Sequence, residues 1–339
     1  MKEEFFTNLP SHITIDILSR LSVPTILLCK SVCKPWLDLL TTQEFINHHL
    51  SPLHGFISTS ANGVLLWRNA NIRPNALAIC NPITREYIEI HSPQDFDYTY
   101  PQVVTFGFGA SRVSNEHKLV RVFHDCILDQ DTYRVLRIPK SECHVYTVGA
   151  GSWRRVAPPA PFVYSCHSVG AFLNGNLHWL VFDLDNKPVI SCFDLETEMF
   201  RVFSAPPPHQ GGGLLIDVFA LGKASACGDN SSEDEIVIWL MKEYGDEKSW
   251  RKEYVISKIE DYKGQSYEVV RPLKVFKDGD MLMACGEFSL FYSSSKTRTI
   301  SRIEMFGYAN SVVHTSSFLS LRVLERRTLA TSDFYICCL

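Results

Sequence analysis

The sequence predicts a small helical head followed by an all-β body of repeating four-stranded units, a β-propeller. Three observations carry this. Apolar residues recur at helical spacing before residue 50 and at strand spacing after residue 54. Turn signals punctuate the later part at Asn62-Gly63, Asn174-Gly175 and Asp278-Gly279. A polar turn ending in a bulky residue, then a strand, also recurs at intervals of close to 50 residues.

In the head, Ile13, Ile17 and Leu21 lie four apart, with Leu18 beside them on the expected apolar face. Ser11, just after Pro10, is the expected N-cap. Pro24 opens a second helix over 25–34, and Pro35 ends it and opens a third through Trp36, Leu39 and Leu40. Three short helices in about 40 residues make a small core, so a partner is expected to complete the burial.

In the body, the recurring turns end on Tyr87, Trp153, Phe200, Trp250 and Ile300, at intervals of 66, 47, 50 and 50 residues. The long first interval fits an insertion near residues 125–139. A period of about 40–50 residues with several strands per unit marks a propeller, whose blades bury their faces by stacking radially. Five units are countable, and the segment from His314 onward is expected to add a sixth or to close the ring. The expectation is five or six blades, with six favoured; an irregular β-sandwich is the competing fold. Residues 222–235, rich in small residues and then acidic, are expected to be a surface excursion between strands.

Composition narrows the function classes. The net charge of −4 carries no long run of one sign, which argues against nucleic acid as the main partner. No apolar stretch approaches the roughly 18–20 residues of a membrane span, and the start, Met1-Lys2-Glu3-Glu4, does not resemble a signal peptide. The expected location is therefore the cytoplasm, the nucleus or both. The 11 cysteines are dispersed without a Cys-x-x-Cys pair, which reads as buried small hydrophobes in a reducing compartment. Ile336 occupies the fourth position from the end, where a prenylation box needs cysteine.

No catalytic constellation emerges, and neither a cofactor nor a metal is expected. Gly211-Gly212-Gly213 lacks the Gly-Lys-Ser/Thr ending of a phosphate-binding loop. His48-His49 has no further close ligand, and adjacent histidines do not readily chelate one metal. His178, inside an apolar run beside Trp179, reads as a hydrogen-bonded packing residue. Glu233-Asp234-Glu235 reads as a solvated loop, and Asn230-Ser231-Ser232 as a sequon that an intracellular chain would not have modified.

The head resembles an F-box of the form common in plants. The resemblance rests on Asn8-Leu9-Pro10, Ile17 to Leu21, Val32-Cys33-Lys34-Pro35-Trp36, and Phe45 to Leu50. The body resembles the kelch-like F-box-associated domain that follows this motif in a large plant family. It does so through Asn81 to Arg85, Phe106-Gly107-Phe108-Gly109, Gly151 to Arg154, Leu173 to Leu180, Phe193-Asp194-Leu195 and Ile238 to Tyr244. Ser22 replaces the usual proline after the first helix, and Leu28 and Cys29 stand where a basic and an aromatic residue are typical. From Arg322 to Leu339 the family pattern is poorly followed.

The resemblance implies domains at 5–50 (F-box) and 55–325 (propeller), with 326–339 a tail or ring-closing strand. It implies a non-catalytic substrate receptor of an SCF-type (Skp–cullin–F-box) ubiquitin ligase. Such a receptor docks a Skp-type adaptor, and through it cullin and RING subunits, and presents a target protein. The implied adaptor-facing or supporting set is Leu9, Pro10, Ile17, Leu18, Leu21, Val32, Cys33 and Trp36, each of which also suits the head's own core. The alternatives are a scaffold or adaptor decoy without a ligase role, or a propeller enzyme or carbohydrate binder. Candidate target loops are 92–102, 125–139, 205–213 and 222–235, and the aromatics Phe96, Tyr98 and Tyr100 are the favoured contact residues. The target itself is not legible, because propellers bind through loops that the fold does not specify.

Overall fold

The computed structural model describes residues 10–19, 28–42, 45, 56–69, 76–84, 86–91, 93, 102–128, 135–164, 169–185, 187–207, 215–221, 224–229, 235–257, 270–285, 289–297, 299–303, 314–315 and 317–321. The chain divides into two compact units. One comprises residues 1–57, 63–92 and 316–339, and the other 58–62 and 93–315.

The head contains helices α1 (Ser11–Ser19) and α2 (Lys34–Leu40). The carbonyl of Pro10 starts the first ladder, accepting from the Ile13 N–H at 3.0 Å and the Thr14 N–H at 3.1 Å. Ser11 therefore lies inside the first turn rather than capping it. Pro35 sits at the start of α2, where its missing N–H costs nothing. Leu28 and Cys29 are helical and residues 30–32 form a turn, so the expected second helix stops short of Lys34, which already belongs to α2. Ile15, Leu18, Cys29, Leu40 and Phe45 pack into a small core, with Trp36 and Leu39 against it.

The body is a succession of antiparallel four-stranded meanders. The first is β1 (Phe56–Ala61), β2 (Val64–Asn69), β3 (Ala76–Asn81) and β4 (Glu86–His91). The second is β5 (Gln102–Ala110), β6 (His117–Leu128), β7 (Val135–Thr147) and β8 (Trp153–Val156). After a two-residue strand β9 (Val163–Tyr164), the third is β10 (Val169–Leu173), β11 (Asn176–Phe182), β12 (Pro188–Asp194) and β13 (Phe200–Ser204). The fourth is β14 (Leu215–Leu221), β15 (Ala224–Asp229), β16 (Glu235–Met241) and β17 (Trp250–Ser257). The fifth is β18 (Val270–Val275), β19 (Met281–Cys285), β20 (Ser289–Ser293) and β21 (Ile300–Ile303). A parallel pairing of β10 with β5 joins the second and third into one sheet.

The sequence repeat has a single structural meaning, because each anchor lies at the start of a fourth strand. Trp153, Phe200, Trp250 and Ile300 are the first residues of β8, β13, β17 and β21, and Tyr87 is the second of β4. Three of the preceding turns are tied by an Asn or Asp side-chain oxygen. Asn81 Oδ1 accepts from the Ile83 N–H at 2.9 Å, Asp194 Oδ1 from the Glu196 N–H at 2.8 Å, and Asp246 Oδ1 from the Lys248 N–H at 3.0 Å. Asn and Asp favour such turns because their short side chains mimic a backbone acceptor.

The hairpins at Asn62-Gly63 and Asn174-Gly175 have positive φ at both residues, 49° and 82° in the first and 52° and 77° in the second. That conformation matches strand twist and selects Asn-Gly.

Two expectations are corrected. Most of the expected 125–139 insertion is not loop: β6 and β7 run as 12- and 13-residue strands, and only 129–134 lie outside the described residues. The expected excursion at 222–235 contains β15, whose Ser225, Ala226 and Cys227 are buried. Its residues pack against Phe219, and a Cβ on Gly228 would make an ordinary contact with that ring at 3.4 Å.

Candidate functional site

The head carries apolar side chains on two faces of α1. Ile15 and Leu18 point into the small core, whereas Ile13 and Ile17, one turn apart, are exposed. The periodicity placed Leu18 on the face of Ile17; the structure puts them on different sides. Among the described residues of the head, Leu28 and Val32 are the most exposed apolar side chains, at 69% and 63%, and Leu37 is exposed as well.

Of the residues singled out from sequence, Pro10, Ile17 and Val32 are exposed, Cys33 and Trp36 half-buried, and Leu18 buried. Leu9 and Leu21 lie outside the described residues, as do Phe96, Tyr98 and Tyr100. Ile13, Leu28 and Leu37 were not singled out for this surface. Ile13 was detectable from its four-residue spacing to Ile17, and Leu28 from the same spacing to Val32.

The body's polar groups are turned to packing. His178 Nδ1 lies 3.2 Å from the Ala171 carbonyl, an acceptor only, so Nδ1 carries the proton. Nε2 then accepts from the Tyr244 hydroxyl at 2.8 Å, and that oxygen is 3.7 Å from Cys192 Sγ. Burial pulls the His178 pKa down to about 4 and pushes the Cys192 thiol up to about 11. These are properties of a neutral packed cluster, with the histidine where the sequence placed it. His124, also buried and stacked on Tyr164 at 5.1 Å, is pulled down to about 4 by burial.

One partly buried charge cluster joins two strands and a turn. Lys118 Nζ on β6 donates to the Leu195 carbonyl at 2.6 Å and to Glu198 Oε1 at 3.0 Å. The same oxygen receives Arg154 from β8. Burial pushes the Glu198 carboxyl up, but the bonds from Arg154 and Lys118 outweigh it and hold the group below its ordinary value. Among the described residues, no three His, Cys, Asp or Glu side chains form a metal-binding group. Seven cysteines are free thiols there, and no helix is long and apolar enough to cross a membrane.

The fold thus defines a class: a helical head with outward apolar side chains, followed by a mostly-β body. Residues 6–50 match the F-box-like family model, and residues 30–318 match that of the F-box associated beta propeller domain. The chain belongs to the family of F-box proteins with a C-terminal F-box associated beta propeller domain. It is similar to F-box protein CPR1 of Arabidopsis thaliana, 25% identical over 333 residues, covering 80% of this chain and 78% of that one. It is also similar to F-box protein At3g07870 of the same plant, 25% identical over 357 residues, covering 85% and 83%. F-box protein At4g22390, also from Arabidopsis thaliana, is 26% identical over 336 residues, covering 81% and 80%.

Proposed function

We propose that the chain is the substrate-recognition subunit of an SCF-type ubiquitin ligase, docking a Skp-type adaptor through the head and holding a target protein on the body. The observation that carries this is the two-faced α1. Ile15 and Leu18 lie in the head's own core, whereas Ile13 and Ile17 lie outside that cluster and are 39% and 40% exposed. An isoleucine pair one turn apart on the outside of a short helix is an unmet burial, and a partner surface meets it. Membership of the F-box family supports a Skp-type adaptor as that partner. Ile17 and Val32 are adaptor-facing, and Leu18 supports them from within. Leu9, Pro10, Leu21, Cys33 and Trp36 complete the set, and Ile13, Leu28 and Leu37 extend it.

The mechanism is positional. Tethering a target beside a charged conjugating enzyme raises the effective concentration of its lysines, with no chemistry on this chain. The body is a propeller with one blade per four-stranded meander. Five meanders support five blades, and the sixth favoured from sequence needs strands outside the described residues. Phe96, Tyr98 and Tyr100 remain the proposed target-contacting residues. The reading places the protein in the cytoplasm or nucleus.

The test is co-purification of the full chain with a Skp-type adaptor, cullin and RING subunit. A stable four-component assembly that ubiquitylates a captured target is expected. Adaptor bound without cullin would instead favour the scaffold or decoy role.

A further inference from the structure

We infer that residues 317–321 form a side-chain clasp on the first meander, locked by Asn81 and Glu86. Asn81 is fully buried at the end of β3. Its Nδ2 donates to the carbonyls of Ser317 at 3.0 Å and Leu319 at 2.7 Å. Glu86, at the start of β4, holds the next two residues: Oε1 accepts from the Ser320 hydroxyl at 2.9 Å and Oε2 from the Leu321 N–H at 2.5 Å. Leu321 is fully buried. These bonds span 234 to 238 residues of sequence.

The segment 317–320 is irregular, so its backbone groups draw partners from side chains instead of a strand ladder. The family match ends at residue 318, which leaves Leu319, Ser320 and Leu321 beyond it.

The corresponding turns are tied to other segments by glutamates, Glu196 accepting from Ser111 and Ser114 and Glu247 from Ser204, and this turn adds an asparagine to its Glu86. Asp194 and Asp246 stand at the corresponding turns of other meanders, and both tie their own turn by accepting an N–H. A carboxylate can only accept. Asn81 accepts from Ile83 in the same way, and its amide nitrogen also supplies two donors that meet two carbonyls of the returning chain. The turn needs the oxygen; the clasp needs the nitrogen.

Asn81→Asp separates the two, because it keeps the turn acceptor and removes both donors. Hydrogen exchange is measured by mass spectrometry on the full chain. In Asn81→Asp, amide exchange in the peptide covering 317–321 rises at least about tenfold, as expected for losing buried hydrogen bonds. β3 and β4 follow, while β16 and β17 do not change. Asp246→Asn, at a turn whose neighbouring Glu247 holds Ser204 and not residues 317–321, leaves the 317–321 peptide unchanged. Ser320→Ala, which deletes a single hydroxyl, gives a smaller rise of about threefold in the same peptide and serves if Asn81→Asp does not fold. Wild-type exchange across 317–321 in Asn81→Asp, or in Ser320→Ala if that is the variant that folds, overturns the clasp.

Discussion

Trp179 rests its indole on the backbone of Gly170: a Cβ at that glycine would lie 2.6 Å from both Cε2 and Cζ2 of the ring. Gly170 pairs with Gly107 across the parallel contact of β10 and β5, and a Cβ on Gly107 would meet the same ring at 2.6 Å. The indole Nε1 donates to the Phe106 carbonyl at 3.3 Å. One aromatic side chain thus fills the space that two glycines leave where the second and third meanders join.

Gly170→Ala should therefore destabilise the body by about 1–3 kcal/mol, the usual cost of forcing a methyl group into a packed interior. Gly228→Ala is the comparison, because its nearest neighbours stand at 3.4 Å and yield with less strain. Urea denaturation followed by tryptophan fluorescence measures both. Equal midpoints would contradict the account of the glycine pair.

Glu198 and Glu116 both lie beside Lys118, but they should not matter equally. Glu198 is 3.0 Å from the ammonium, and its side chain is 14% exposed; Glu116 is at 3.7 Å and 53% exposed. Glu198→Gln leaves the buried Lys118 and the neighbouring Arg154 without their shared carboxylate, at a cost of about 2–4 kcal/mol. Glu116→Gln should cost less than about 0.5 kcal/mol. Paired denaturation curves of the two variants check the ranking.

Stability should fall as pH drops from about 6.5 toward 4. Burial lowers the folded pKa of His178 and His124 to about 4 and lowers that of His117 as well. Above the ordinary histidine value neither state takes the proton, so stability is fully present. Between the two values the unfolded chain binds protons that the folded chain refuses. Each such histidine then removes up to about 1.4 kcal/mol per pH unit. Urea midpoints at pH 7.5, 6.0 and 5.0 should decline in that order, and a flat series would contradict the buried neutral state.

Much of this architecture was legible in the sequence, for a local reason. The repeat was visible because every third-to-fourth-strand turn ends on a bulky residue that restarts the sheet, and three of them are tied by an Asn or Asp side chain, as at Asp194 before Phe200. The strand β15 was missed because Ala224-Ser225-Ala226-Cys227-Gly228-Asp229 has the composition of a loop. Its burial comes from tertiary neighbours, among them Phe219 beside Gly228, that local composition does not show. On the head, four-residue spacing found the apolar positions of α1 but not their roles. Ile17 and Leu18 are adjacent in sequence, and packing against Cys29, Leu40 and Phe45 decides which of them is buried. The clasp was not legible, because Asn81 and Leu319 are 238 residues apart.

The most direct test of the receptor account is the affinity of the full chain for a Skp-type adaptor, measured by calorimetry for wild type and for Ile17→Asp/Val32→Asp. Both positions are exposed, so the variant should fold with an unchanged circular dichroism spectrum. Burying carboxylates in an apolar interface costs several kcal/mol, so binding should weaken at least about a hundredfold. A folded variant that binds as wild type does, or a wild-type chain that does not bind, would contradict the assignment of this face to the adaptor.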